Sequence, residues 1–204
     1  MSSKNVGRLN VSRETYERLE LFGDLVKKWS AKINLVSKRD QDDLWDRHIV
    51  DSVQVFEVAG GDADWLDIGS GGGFPGLVVA ILSHELAPNR RVTLMESDIR
   101  KSVFLRTVAR EVGITCDVVN ARIELAAPQG SPILSARALA NLTTLLEFAE
   151  RHLDKSGVGI FPKGENWKNE LSAAKERWLF ECEEITSWTE PNAAILRIRD
   201  IARV

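Results

Sequence analysis

Asp67 and Glu96 each close a short apolar run, and glycines follow Asp67 at positions 69, 71, 73 and 76. Residues 64–76 read D-W-L-D-I-G-S-G-G-G-F-P-G and lead into an apolar segment at 77–82. Strand, glycine turn and helix in that order form the βα unit that holds nucleotide-like ligands. Glycine lets a ligand come close to the backbone, and the first turn of the next helix offers N–H groups without partners. Glu96 ends the run R-V-T-L-M-E, 20 residues past Gly76. A carboxylate there can accept both hydroxyls of a ribose, and it would equally suit the start of the following helix.

Three ligand classes compete for this loop. A phosphate-gripping loop needs G-x-x-x-x-G-K-[ST], and no Lys-Ser/Thr follows these glycines. A dinucleotide fingerprint is present as Gly71, Gly73 and Gly76, but it begins late, and Pro75 falls where a pyrophosphate would sit. The third reading takes Asp67 with Gly69, Gly71 and Gly73 as the first motif of class I S-adenosylmethionine-dependent methyltransferases. Glu96 supports a nucleoside in both of the last two readings. A closing antiparallel hairpin favours the methyltransferase.

The elements that must carry these residues follow from periodicity. Ser12 is an expected N-cap. Tyr16, Leu19, Phe22, Val26, Trp29 and Ile33 then form one apolar helical stripe. A second helix is expected over 42–58. From residue 63 strands and helices alternate: strands at 63–68, 91–95, 114–119, 132–136 and 158–161, with helices at 76–86, 98–112, 141–153 and 167–180. Strands at 182–188 and 193–201 end the pattern, joined by the turn Glu190-Pro191-Asn192. Alternating β and α units predict an α/β fold with a mainly parallel sheet of seven strands, the last antiparallel. Residues 1–60 are expected to form a helical extension and residues 61–204 the ligand-binding domain, within a single structural unit.

Length and composition bound the rest. The chain has 204 residues, 44% hydrophobic, with a formal net charge of −3. A pervasively basic coat for nucleic acid is excluded, but a local basic patch is not. No apolar run reaches the roughly 20 residues of a membrane span, and residues 1–8 lack the apolar core of a signal peptide. Cys116 and Cys182 are expected as buried free thiols. His48, His84 and His152 lie far apart without ligand spacing, so no metal site is expected. The expectation is a cytoplasmic protein.

Several cations are candidates for a nucleic-acid contact. Arg122, Arg137 and Lys163 fall in loops at the carboxyl edge of the sheet, where they could hold phosphates or guanine O6. Arg137 could instead hold a cofactor carboxylate, and Arg122 could pair with Glu124. His48 and Asp51, one helical turn apart, could bond to each other or meet substrate. Lys27, Lys28, Lys32, Lys38 and Arg39 form a basic cluster diluted by acids. Lys101, Arg106 and Arg110 are expected to solvate the outer face of their helix, and the tryptophans to pack in the core.

The chain resembles the bacterial small-subunit rRNA (guanine-N7)-methyltransferase G family, also called glucose-inhibited division protein B. The matching pieces are W-S-A-K-I-N-L-V-S at 29–37, R-H-I-V-D-S at 47–52, D-I-G-S-G-G-G-F-P-G at 67–76, E-S-D-I-R-K-S-V-F-L at 96–105, A-R-I-E at 121–124, S-A-R-A-L-A at 135–140 and F-P-K-G at 161–164. They stand in order and cover nearly the whole chain. The resemblance implies methyl transfer from S-adenosylmethionine to N7 of a guanine in the decoding-centre loop of 16S rRNA. Its substrate would be the small ribosomal subunit or an assembly intermediate, and the enzyme a monomer. By position the family's cofactor residues fall on Gly69, Phe74, Ile123, Glu124 and Arg137, joining Asp67, Gly71 and Glu96. Phe74 stands where many relatives carry Leu, and Gly72 fills a small-residue position. The stretch S-A-R-A replaces the [DNS]-P-P-[YFW] of exocyclic amine methylation, and no Cys lies in a loop suited to carbon-5 chemistry. N7 has a free in-plane lone pair and no proton to remove, so positioning would suffice without a catalytic dyad. A small-molecule or protein methyltransferase of the same fold, or an NAD-linked oxidoreductase, is the alternative.

Overall fold

The computed structural model describes residues 3–37 and 42–204. It opens with a hairpin that periodicity does not reveal, β1 (Ser3–Val6) against β2 (Leu9–Ser12), so the first 60 residues are not wholly helical. Each strand is only four residues long, too short for alternation to stand out. Val6 and Val11 nevertheless reach the core. Ser12 caps α1 (Arg13–Ser30), its hydroxyl accepting the Thr15 N–H at 3.2 Å. The expected helix at 42–58 is present in two windings. Trp45–Val50 is a π-helical segment, and α2 (Asp51–Ala59) continues it with ordinary geometry.

The alternating elements follow as β3 (Trp65–Ile68), α3 (Gly76–Leu86), β4 (Val92–Met95), α4 (Ile99–Val112), β5 (Asp117–Val119), β6 (Ser131–Ser135), α5 (Leu142–His152), β7 (Leu153–Lys163), α6 (Trp167–Lys175), β8 (Trp178–Thr186) and β9 (Ala194–Arg203). Side-chain caps set two of the helix starts. Asp98 accepts the Arg100 and Lys101 N–H groups at 2.7 and 3.2 Å, and Asn141 accepts that of Thr144 at 3.0 Å. The helix expected over 167–180 stops at Lys175, and Trp178 already opens β8. Tertiary pairing overrides the local pattern there: Trp178 and Leu179 lie opposite Arg203 and Ala202 of β9.

The seven-stranded sheet runs β5-β4-β3-β6-β7-β9-β8. β3 through β7 are mutually parallel, and β9 is antiparallel to both β7 and β8. The strand order reverses between β3 and β6, so the carboxyl edge opens there into a crevice for a ligand. One apolar layer joins β1, β2, α1, α2, α3 and α4 to the sheet, with Phe22, Leu77, Ile81 and Phe104 fully buried. The other packs Leu142, Leu145, Leu146, Leu171 and Trp178 on the opposite face. Trp29 of α1 lies 5.5 Å from the Phe104 ring, centroid to centroid, which fixes α1 to α4. No helix among the described residues is long and apolar enough to cross a membrane.

Phe104→Ala should cost about 3–5 kcal/mol, the range for a fully buried aromatic in a close-packed core. Urea unfolding followed by circular dichroism and by tryptophan fluorescence should give this loss with coincident transitions. Separate transitions would show that the α1 layer unfolds on its own.

Candidate functional site

A cleft of about 620 Å³ lies at the carboxyl ends of β3, β4 and β6. The glycine loop forms its floor, Glu96 and Ser97 one wall, residues 121–124 and 137–140 two more, and residues 35–37 with His48 its cover. Expected site residues Gly69, Gly71, Phe74, Glu96, Arg122, Ile123, Glu124, Arg137 and His48 all line it.

The loop is folded by its own main chain. The Ser70 hydroxyl donates to the Asp67 carbonyl at 2.9 Å, and the Gly73 N–H donates to Ser70 O at 2.7 Å. Gly69 sits at φ +64°, and a Cβ added there would stand 2.6 Å from Leu139 Cδ1. A close approach and a left-handed backbone thus both demand glycine. Glu96 fastens the loop from the side. Its Oε2 accepts the Gly71 N–H and its Oε1 the Asp98 N–H, each at 2.8 Å. Each carboxylate oxygen keeps a further lone pair for an incoming hydroxyl.

Asp67 departs from expectation. It does not line the cleft but lies beneath the loop, 1% exposed, facing the start of α3. Its Oδ1 accepts the Ser135 hydroxyl at 2.6 Å, and Ser135 in turn accepts the Trp65 indole N–H at 2.8 Å. Burial pushes its carboxyl up to about 6, against the opposing pull of Ser135, Ser70, Arg137 and the Gly76 N–H. Gly76 answers a packing need: a Cβ there would meet Leu94 Cδ2 at 2.4 Å and Asp67 Oδ2 at 2.6 Å.

The turn after β5 is held from α5, which the sequence did not disclose. The Leu125 and Ala126 N–H groups donate to Arg122 O at 3.1 and 3.0 Å. Arg151 donates twice to Ala126 O, and His152 Nε2 donates to Ile123 O at 2.9 Å. His152 is fully buried, and burial holds its ring below the ordinary imidazole range, so it is a neutral donor. Nor does any motif mark Asn120, whose amide donates to the Glu96 and Ser97 carbonyls at 2.8 and 3.1 Å and so braces the Glu96 wall. Lys101 joins the cleft lining rather than only solvating α4, whereas Arg106 donates to Val118 O at 2.7 Å.

Arg137 is clasped by the π-helical segment. Nη1 donates to Arg47 O at 3.2 Å and to Asp51 Oδ2 at 3.3 Å, Nη2 meets His48 Nδ1, and the guanidinium lies 5.2 Å over the Phe74 ring. Phe74 in turn stacks on His48 at 5.0 Å. The wider winding of a π-helix is a usual device at functional sites. Here it brings the Arg47 carbonyl, His48 and Asp51 to one guanidinium. Lys163 lies outside this cleft. It lines a second cavity of about 660 Å³ that shares Arg137, Ala138 and Ala140 with the first. Of the basic cluster, Lys38 and Arg39 lie outside the described residues. Cys116 and Cys182 are free and only partly buried, with burial pushing both thiols up to about 11. No cluster of three or more His, Cys, Asp or Glu among the described residues suits a metal ion.

The cleft fits a nucleoside carrying an amino-acid tail. Glu96 would take the ribose hydroxyls, the apolar Met95, Ile123 and Phe148 a base, and the bare backbone at Gly69 the tail. Sheet order and cleft together define a class I S-adenosylmethionine-dependent methyltransferase. A SAM-dependent methyltransferase from Aquifex aeolicus has the same fold, with a TM-score of 0.59 at 12% identity over 86% of this chain and 96% of that one. So does a mutant of MtNAS in complex with S-adenosylmethionine, with a TM-score of 0.60 at 14% identity over 91% and 75%. The family model for rRNA small subunit methyltransferase G matches residues 15–196. Ribosomal RNA small subunit methyltransferase G of Ruegeria sp. strain TM1040 is 58% identical over 196 residues, 96% of each chain. The protein of that name from Ruegeria pomeroyi is 54% identical over 204 residues, the full length of both. The chain belongs to the rRNA small subunit methyltransferase G family.

Gly69→Val should weaken binding of S-adenosylhomocysteine at least about 10-fold, because the branched side chain must displace Leu139 into the cleft and strain a left-handed backbone. Isothermal titration checks this; unchanged affinity in a folded variant would remove Gly69 from the site. Asp67 gives a pH signature. The unfolded carboxyl ionises near pH 4 and the folded one near 6, so stability falls as pH rises through that window. The loss is on the order of 2–3 kcal/mol. Asp67→Asn should abolish this slope, so its stability relative to wild type should climb between about pH 4 and 7 in urea titrations.

Proposed function

We propose that this chain transfers a methyl group to N7 of a guanine in the decoding-centre loop of 16S rRNA, acting as a cytoplasmic monomer on the small subunit or its assembly intermediate. The observation that carries this reading is the pair of adjoining cavities sharing the wall at Arg137, Ala138 and Ala140. A methyl donor and a flipped-out base need such a shared wall, since methyl transfer requires the two to meet in line.

S-adenosylmethionine is the methyl donor and supplies the methyl group on an electron-poor sulfonium sulfur. Gly69, Gly71, Phe74, Glu96, Ile123, Glu124 and Arg137 would hold it, with Asp67 supporting the loop from beneath rather than touching the ligand. Lys163 in the second cavity, Arg137 at the shared wall, and Arg122 and His48 at the rim of the cofactor cleft would contact the RNA. Guanine N7 presents an unprotonated lone pair, so these residues orient the base and exclude water without removing a proton.

Labelled S-adenosylmethionine incubated with small subunits from cells lacking the activity should place label in 7-methylguanine of 16S rRNA. Absence of label there would overturn the reading. The single-turnover rate should change less than about twofold between about pH 7 and 9, because no general base is used. A rate that climbs with pH across this range would point to a proton-abstracting mechanism.

A further inference from the structure

The second cavity pairs Lys163 with Glu170, a carboxylate that the reaction so far leaves unused. The Lys163 ammonium donates to the Ala140 carbonyl and to Glu170 Oε2, each at 2.7 Å. The same Oε2 accepts the Leu142 N–H at 2.8 Å. An ammonium has three donors and a carboxylate two oxygens. One N–H of Lys163 is therefore unspent, and Glu170 Oε1 accepts no hydrogen bond among the described residues. The pair is well shielded, with side chains 8% and 22% exposed, and both line the cavity. The neighbouring Arg137–Asp51 pair is already committed: Asp51 takes Arg137 on Oδ2 and the Thr189 hydroxyl on Oδ1.

Adenine also carries an unprotonated N7, so the chemistry of N7 does not by itself select guanine. The two purines differ at the 6-position edge. Guanine offers an acceptor, O6, next to a donor, N1–H, whereas adenine offers the N6 amino donor next to the N1 acceptor. We propose that the Lys163–Glu170 pair reads the target base as guanine, with Lys163 donating to O6 and Glu170 Oε1 accepting N1–H. This rests on the guanine-N7 reading above. The order along the wall agrees with the order in the base: the shared-wall residue Ala140, then Lys163, then Glu170, as N7 is followed by O6 and N1. Adenine would set its amino group against an ammonium and its N1 lone pair against a carboxylate, both shielded from water. Such mismatches in a buried polar site discriminate far more strongly than a missing contact.

Small subunits reconstituted with guanine, inosine, adenine or 2-aminopurine at the methylated position test this. Inosine keeps O6 and N1–H, so wild type should methylate it within about threefold of guanine. Adenine and 2-aminopurine should fall by at least about 100-fold. Glu170→Gln sets an amide where the carboxylate was and should lower the guanine-to-adenine ratio of kcat/KM at least about 10-fold. S-adenosylhomocysteine affinity should stay near wild type, and a purely structural role for Glu170 would lower Tm and the rates on both bases together without changing their ratio. Adenine methylated as fast as guanine by wild type, inosine rejected, or an unchanged ratio in folded Glu170→Gln would each overturn the assignment. If Glu170→Gln does not fold, the wild-type base series decides alone. Failure of wild type to label even guanine would remove the parent reading itself.

Discussion

A carboxylate sealed between β3, β6 and the first turn of α3 sets the geometry of the whole site. Burying Asp67 is costly. The Ser135 hydroxyl on β6 and the N-terminal end of α3 offset only part of that cost, and the carboxyl is still pushed up to about 6. The glycine at 76 lets α3 begin almost in contact with the carboxylate. The Trp65–Ser135–Asp67 relay crosses the β3–β6 seam, the same seam at which the strand order reverses. The crevice that receives the ligand is thus aligned from below by a group that never reaches it. Asp67 is a framework residue whose position at a strand end makes it look like a contact residue.

The upper parts of the site are braced in a comparable manner, by main-chain carbonyls and amides rather than by exposed charge. Glu96 receives two N–H groups from separate loops, and Asn120 holds the Glu96 and Ser97 carbonyls. His152 and Arg151 fix the 122–126 turn from α5, whose apolar layer Ile123 and Ala126 share. Arg137 stands at the junction of both cavities with its donors engaged by the π-helical segment.

Alternation of apolar runs and helical stripes made the parallel core legible, and α3 has its expected bounds of 76–86. The cofactor loop was readable because only glycine suits its conformations. What stayed hidden depends on partners distant in sequence. The β1–β2 hairpin is too short to show a period, β8 takes its shape from β9, and the π-helical winding answers to Arg137 some 90 residues away. Asp67 lies at the expected strand end, but sequence shows where a side chain is and not which way it points. The Lys163–Glu170 partnership crosses the turn between β7 and α6, which no single period spans. Helix periodicity sends Lys101 to solvent because it sees one helix and not the cleft beside its first turn.

The last strand lies inside the sheet, not at its rim: β9 pairs with β7 on one side and β8 on the other. β8 precedes β9 in the chain yet, among the described residues, has no ladder partner except β9. During vectorial synthesis β8 therefore emerges with nowhere to dock and must wait for the segment made after it. Its charged residues Glu181, Glu183 and Glu184 suit that interval, because like charges discourage a waiting strand from pairing with a neighbouring nascent chain.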